Sequence, residues 1–360
     1  VQKNRSIVLI GLGDLAKRIA FSLMSSPAVE FDDLVIISRN KANGESYTRL
    51  LSGCGERRVR FCQLDALDTR ALAGVLKSVN PQLVIQCASL MSPWLLYESR
   101  GQKAKHLLTS GFAAQLPAQL PVPVSVMTAL HDAGLDVPVI NCSYPDVVNP
   151  VLARLGLPVA LGIGNSGMIH GLVRAELQKA GTDTTALRVF GHHAHVASVA
   201  NSELKAGMPA PMAYLHNEAV PVQAALFAQP GIMLNRELNV LTAAHAVEVI
   251  GAMTGEDKTL CTSVPGPLGL AGGWPVRICN TAIDLDLPEQ VSRAQISGYQ
   301  EQLAVFDGVG KIDDDGTIHF SDGCRDSLSR LSPGLSEPLA PLQSLQRLTK
   351  INELLNNDEP

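Results

Sequence analysis

Apolar positions along the chain follow two rhythms. Short unbroken runs, "SIVLI" at 6–10, "LVII" at 34–37 and "LVI" at 83–85, carry no polar interruption. Such runs suit strands buried on both faces of a parallel sheet. Between them, apolar residues recur at three- and four-residue spacing, as in Leu15, Ile19, Ala20 and Leu23, the pattern of a helix with one buried face. The rhythms predict strands over 6–10, 34–40, 58–68, 81–90 and 137–142, with helices over 16–24, 68–79 and 124–133. Strands alternating with helices give a doubly wound parallel α/β sheet, the Rossmann arrangement. The later pattern differs. It predicts a long apolar helix over 238–253, strands within "TSVPGPLGLAGGWPVRI", a hairpin turning at Asp314-Asp315-Gly316, and a C-terminal amphipathic helix with Leu342, Leu345, Leu348, Ile351, Leu354 and Leu355. Three units follow: 1–147, a dinucleotide-binding domain; 148–335, an α+β catalytic and substrate domain; and 336–360, the C-terminal helix.

The first strand runs into "GLGDLA", in which Gly11, Gly13 and Ala16 form GxGxxA. Gly11 permits the tight turn, and Gly13 lets a pyrophosphate approach the backbone at the helix N-terminus. Ala16 lets the helix pack close to the sheet, while Asp14 and Leu15 open that helix. The strand before and the helix after give this short motif its specificity. The second strand ends in Ser38, Arg39 and Asn40, with Lys41 next. NAD enzymes place a carboxylate there for the ribose 2′-hydroxyl. Cations and a hydroxyl suit a 2′-phosphate instead, so the expected cofactor is NADP, used as NADPH. Asp65 at the end of the third strand is a candidate for the adenine edge. Ala88, Ser89 and Ser143, at the ends of the fourth and fifth strands, are candidates for the nicotinamide end.

Composition narrows the function. The 360 residues are 46% hydrophobic and 18% charged, and the net charge is −5. That describes a globular chain without the basic face nucleic acid requires. Aromatics at 4% leave little for base stacking. No apolar stretch reaches the length of a membrane helix. Seven cysteines, an odd number without CxxC spacing, fit reduced thiols and a cytoplasmic protein. The expected partner is a small-molecule substrate, with no nucleic acid and no membrane.

Candidate chemistry gathers in "RVFGHHAHVASV", where His192, His193 and His195 fall within four positions. One reading is proton transfer, for which an imidazole near neutrality is suited. A second is a metal shared by His193 and His195, which alternate onto one face if the stretch is extended, with His170, Cys142 or Asp146 completing the set. Proton transfer is the favoured reading, and no metal is assigned.

The order of motifs, "SYPD", helix, "GIGNSG", helix, strand, "GHHA", resembles that of the lactate/malate dehydrogenase superfamily over roughly residues 5 to 335. There "TNPVD", "GxGT" and "GEHG" occupy the same places. The resemblance implies a Rossmann domain followed by a catalytic domain of lactate/malate dehydrogenase type, and a homodimer or higher homo-oligomer. It implies that the helices over 16–24 and 238–253 are candidates to pair across a two-fold axis. His193 falls on the catalytic histidine that gives a proton to the carbonyl oxygen as hydride arrives, and His192 on the acidic position before it. Met168 stands where the family has the Asp that orients this histidine, and Gly171 where it has the Arg that clamps a keto-acid carboxylate. His170, on the same segment, is therefore the candidate partner of His193. Tyr144, Arg100, Arg174 and His192 are the candidate substrate contacts. The function expected is an NADPH-dependent oxidoreductase acting on a carbonyl or imine carbon of a small metabolite. Imine reduction is a serious variant, because the clamp is missing. The alternatives are a non-catalytic NADP-binding sensor or structural protein, and a metal-assisted redox enzyme.

Overall fold

A computed structural model of the chain describes residues 5–228, 230–255 and 258–358. Its first half is a six-stranded sheet of β1 (Ser6–Ile10), β2 (Asp33–Ser38), β3 (Arg58–Gln63), β4 (Leu83–Gln86), β5 (Val139–Asn141) and β6 (Leu161–Gly162), in the spatial order β3-β2-β1-β4-β5-β6. Every pairing is parallel. The order reverses between β1 and β4, which opens a crevice at their carboxyl ends. The uninterrupted apolar runs are explained by burial on both faces: all five residues of β1 and all four of β4 are buried.

Four expected strands are shorter in the structure: β5 covers 139–141 rather than 137–142, and three others end early. β2 stops at Ser38 because the Asn40 side chain accepts from Asn43 N at 3.0 Å and caps the next helix. β3 stops at Gln63, and Asp68 caps the helix Thr69–Val79 by accepting from Ala71 N. β4 ends at Gln86, whose side-chain amide bonds back to both the N–H and the carbonyl of Ala88. In these three, a polar side chain at or beyond the strand end bonds the backbone of the following turn or helix.

The second half adds two antiparallel sheets and a hairpin. β7 (Leu187–Phe190), β8 (Met212–Leu215) and β9 (Glu218–Val220) form one sheet; β10 (Thr259–Pro265), β11 (Gly273–Cys279) and β12 (Ala282–Leu285) form the other. The hairpin of β13 (Val309–Ile312) and β14 (Ile318–Phe320) turns through Asp313–Thr317, as the Asp-Asp-Gly sequence predicts. Among the described residues no helix is long and apolar enough to cross a membrane.

The two helices named as candidates to pair across a two-fold axis pack on each other within the chain. Ala16, Ile19, Ala20 and Leu23 of α1 (Asp14–Ser25) share a core with Ala243, Ala246, Val249 and Ile250 of the helix Asn239–Thr254. The C-terminal helix Ser344–Asn356 places Leu348 and Ile351 in the core that also holds Val126, Leu130 and Val139. Leu342 stays 91% exposed because it lies in the 3-10 turn before that helix.

Candidate active site

A cavity of about 550 Å³ lies over the carboxyl ends of β1, β4 and β5. Its floor begins at the glycine turn. Gly11 has φ +98, and a Cβ there would lie 2.9 Å from the backbone N of Ala88. Gly13 adopts ordinary extended backbone as the N-cap of α1, and a Cβ there would meet nothing within 4 Å. The first glycine is required by the fold; the second leaves open space over the first turn of a helix. That is the cradle a pyrophosphate needs.

All the residues expected at the cofactor line this cavity: Gly11, Gly13, Asp14, Leu15, Ser38, Arg39, Asn40, Asp65, Ala88, Ser89 and Ser143. Their side chains are not equally free. Asp14 is held by Arg18 Nε at 2.9 Å and Asn239 Nδ2 at 2.8 Å. Burial works against its charge, but these donors and the Arg18 charge hold its carboxyl below the usual range. Asp65 accepts from Leu67 N at 3.0 Å. Ser89 Oγ donates to Met91 O, and Ser143 Oγ to Gln119. Arg39 is exposed at the cavity edge.

His193 also lines the cavity. It follows the end of β7, in the turn after Gly191, with its side chain 18% exposed. Asp146 of "SYPD", fully buried, accepts from the backbone N–H of His193 at 3.0 Å and from Asn165 Nδ2 at 3.3 Å. The imidazole Nδ1 donates to Asp307, 2.9 Å from Oδ1 and 2.8 Å from Oδ2. Tyr144 Oη donates to Asp307 Oδ2 at 3.0 Å. The Phe112 ring packs on both, 4.1 Å from the imidazole centroid and 4.5 Å from the Tyr144 ring. Burial alone would push the His193 pKa down, but the Asp307 carboxylate outweighs it and raises it. Burial likewise opposes the Asp307 charge, and His193 overcomes it, so its pKa is lowered. The pair favours imidazolium beside carboxylate, with Nε2 left for a ligand.

Asp307 is the residue that sequence reasoning missed. It caps the C-terminus of the helix Arg293–Phe306, 114 positions from His193. No motif marks it, because its place at the site is made by the packing of that helix. The partner expected for His193 was His170, and the structure corrects this. His170 is 2% exposed, bonds Ser263 Oγ at 3.1 Å and does not line the cavity. Burial foremost, then the charges of His245 and Arg174, lowers its pKa to about 3.

The expected substrate contacts are likewise redistributed. Tyr144 lines the cavity but is 4% exposed and commits its hydroxyl to Asp307. Arg174 is paired through both guanidinium nitrogens with Glu248 at 2.9 Å. Arg174, Arg100 and His192 lie outside the cavity lining. His192 is fully buried, and its Nδ1 accepts from Ala194 N at 3.0 Å. Cavity residues that the sequence did not single out include Arg236, whose guanidinium grips Glu98 at 2.6 Å.

The arrangement also breaks the shared-metal geometry. The chain leaves the extended conformation at Phe190, and His195 begins the helix His195–Ala200. His195 Nδ1 accepts from His192 N, and Nε2 meets Pro209 O at 2.9 Å. Both ring nitrogens are used, and burial lowers its pKa to about 4. Among the described residues, no group of three or more His, Cys, Asp or Glu side chains is placed to hold a metal.

Sheet order and glycine turn together define a Rossmann-type doubly wound fold with an appended α+β region. Solved structures specify the fold further. A lactate dehydrogenase from a Medee basin deep-sea metagenome library is similar at TM-score 0.52 and 13% identity, over 85% of this chain and 97% of that one. The minor L-lactate dehydrogenase of Enterococcus mundtii, in its ligands-bound form, gives TM-score 0.51 and 15% identity over 84% and 96%. The apo malate dehydrogenase of Picrophilus torridus gives 0.53 and 9% over 91% and 99%. No family model and no curated protein matches the sequence. The chain has the lactate/malate dehydrogenase fold in a divergent form.

Proposed function

We propose that the chain is an NADPH-dependent oxidoreductase that reduces a carbonyl or imine carbon of a small metabolite, with His193 as the proton donor. The observation that carries this reading is the His193–Asp307 pair at 2.8 Å in the wall of a cavity that begins at a GxGxxA turn. NADPH, when bound, supplies the hydride. Gly11 and Gly13 would admit its pyrophosphate, and Arg39 with Ser38 would hold the 2′-phosphate. Asp307 fixes the imidazole through Nδ1 and stabilises its charged form. Nε2 then gives its proton to the oxygen or nitrogen that gains charge. Tyr144 donates to Asp307 Oδ2 as well, and Phe112 keeps water from one face of the ring.

The substrate is expected to lack the carboxylate of a 2-keto acid. The family's arginine position is Gly171, Arg174 is engaged by Glu248, and Arg236 by Glu98. Assembly as a homodimer belongs to the same reading, with Phe21 and Val240, each about half exposed, left for a second copy.

Thermal unfolding with each cofactor tests the reading. NADPH should raise the midpoint more than NADH at equal concentration, and Arg39→Ala should erase the difference. Equal shifts would remove NADPH selectivity. If His193→Ala retained full turnover of a substrate found by NADPH consumption, the proton-donor role would be lost.

A further inference from the structure

β4 and β5 end in matching ways. Their register pairs Gln86 with Asn141, so the next residues, Cys87 and Cys142, are neighbours across the two strands. Each strand end is locked by the side chain of its last residue. Gln86 bonds the N–H and carbonyl of Ala88. Asn141 accepts from Ser143 N at 2.9 Å, donates to Ser143 O at 3.1 Å and is held by Asn149 Oδ1 at 2.8 Å. The two clamps hold the thiols toward one another: Cys87 Sγ donates to Cys142 Sγ at 3.3 Å. Both sulfurs belong to residues that line the cofactor cavity. Adjacent strands lie about 4.8 Å apart, within the Cα separation of about 4.4–6.8 Å that a disulfide spans.

We propose that Cys87 and Cys142 form an oxidisable dithiol in the cavity wall, which a hydroperoxide converts to a disulfide that weakens dinucleotide binding. The inference rests on the reading of this cavity as the NADPH site. The chemistry balances between two thiols and one peroxide. Cys142 sulfur attacks the O–O bond, forming a sulfenic acid and releasing an alcohol, or water from hydrogen peroxide. Cys87 sulfur then displaces the sulfenic oxygen, which leaves as a second water with the Cys87 proton. The thiols lose two electrons and the peroxide gains them; a dithiol reductant reverses the change. Its bond to Cys142, together with burial, raises the Cys87 pKa, so Cys87 gives up its proton only as its sulfur attacks and the sulfenic oxygen departs.

The coupling to the cofactor is steric. Closing the bond draws the sulfurs from 3.3 Å to about 2.05 Å. The residue after Cys87 is Ala88, whose backbone already sits against Gly11 with no room for a methyl group. A shift of this strand end therefore reaches the glycine turn directly.

The test uses the full chain, treated with hydrogen peroxide or left reduced, with NADPH affinity read by titration. Peptide mass spectrometry of the same samples should find Cys87 and Cys142 peptides linked with loss of two hydrogens. The linked chain should bind NADPH about tenfold more weakly or worse, a change of about 1.4 kcal/mol, and dithiothreitol should restore it. In Cys87→Ser and Cys142→Ser the affinity, whatever its starting value, should be the same before and after peroxide. Absence of the linked peptide overturns the inference, as does linkage that leaves affinity unchanged. Peroxide sensitivity that persists in both serine variants also overturns it. A reduced wild-type chain that does not bind NADPH overturns the cofactor reading itself and this inference with it. Binding without linkage overturns only the inference.

Discussion

At the scale of single residues, the site turns on one carboxylate. Asp307 is 5% exposed; both of its oxygens meet His193 Nδ1, and Oδ2 also accepts from Tyr144. Replacing it by Asn keeps the shape and removes the charge that sustains imidazolium. The His193 pKa, raised in the native chain, should then fall below the ordinary value of about 6.5, because burial, the largest influence, remains while of the opposing charges only the lesser one of Asp146 is left. Histidine NMR titration of Asp307→Asn reads this directly, and an unshifted His193 would show that the carboxylate does not govern it. The consequence for rate has a definite sign. Reduction consumes the proton on His193, so the native rate should fall as pH rises through its raised pKa. In the variant that fall should move to lower pH, with turnover reduced about a hundredfold or more. His193 itself was legible from the order of motifs. Asp307 was not, since no spacing relates it to His193. The same lack explains the choice of His170: sequence proximity placed it on the right helix, but its side chain bonds Ser263, in β10.

At the scale of elements, the β1–α1 unit was the most readable part of the chain. "SIVLIGLGDLA" carries its own instructions: an apolar run long enough for a buried strand, a residue that tolerates φ +98, and a helix whose apolar face repeats at the right spacing. Its two glycines should behave differently. Gly11→Ala forces a side chain into a left-handed turn and against the Ala88 backbone, so it should cost about 1–3 kcal/mol of stability. Gly13→Ala meets no neighbour and should cost less than about 1 kcal/mol, yet weaken NADPH binding by about tenfold or more because its methyl group enters the cradle. Denaturant titration separates the two. A Gly13→Ala chain with unchanged NADPH affinity would place the pyrophosphate elsewhere. Strand ends were less legible than strand interiors. Gln86 and Asn40 look ordinary in sequence, and only the backbone they bond shows that they stop a strand or start a helix.

At the scale of the whole molecule, three buried histidines set the response to acid. Burial lowers the pKa of His170 to about 3 and those of His195 and His245 to about 4. The unfolded chain takes up protons at about 6.5, where the folded chain refuses them. Stability should therefore fall as pH drops below about 6.5, by up to about 1.4 kcal/mol per pH unit for each histidine, until the folded values are reached. His193 has the opposite sign: its raised pKa favours the folded state below that value, so three losses face one gain. Urea unfolding at pH 7 and pH 5 checks the direction. His245→Gln should flatten the profile by about one histidine's share, although His245 also bonds Thr262 Oγ1 at 3.0 Å. A pH-independent midpoint would mean that these imidazoles do not resist protonation.

The amino-acid sequence by itself determined the alternation of buried strands and helices, the glycine turn, the cations at the end of β2 and the histidine at the end of β7. Each of these is local: a run, a spacing, or a residue type at a strand end expresses its physical requirement within a few positions. Tertiary structure decided what no local pattern can express. The cores formed by elements distant in sequence carry Asp307 to His193, seat α1 on the helix Asn239–Thr254 within one chain, and bring Cys87 beside Cys142. Those juxtapositions follow from which apolar faces bury one another, and burial between distant elements is settled only when the whole chain is packed.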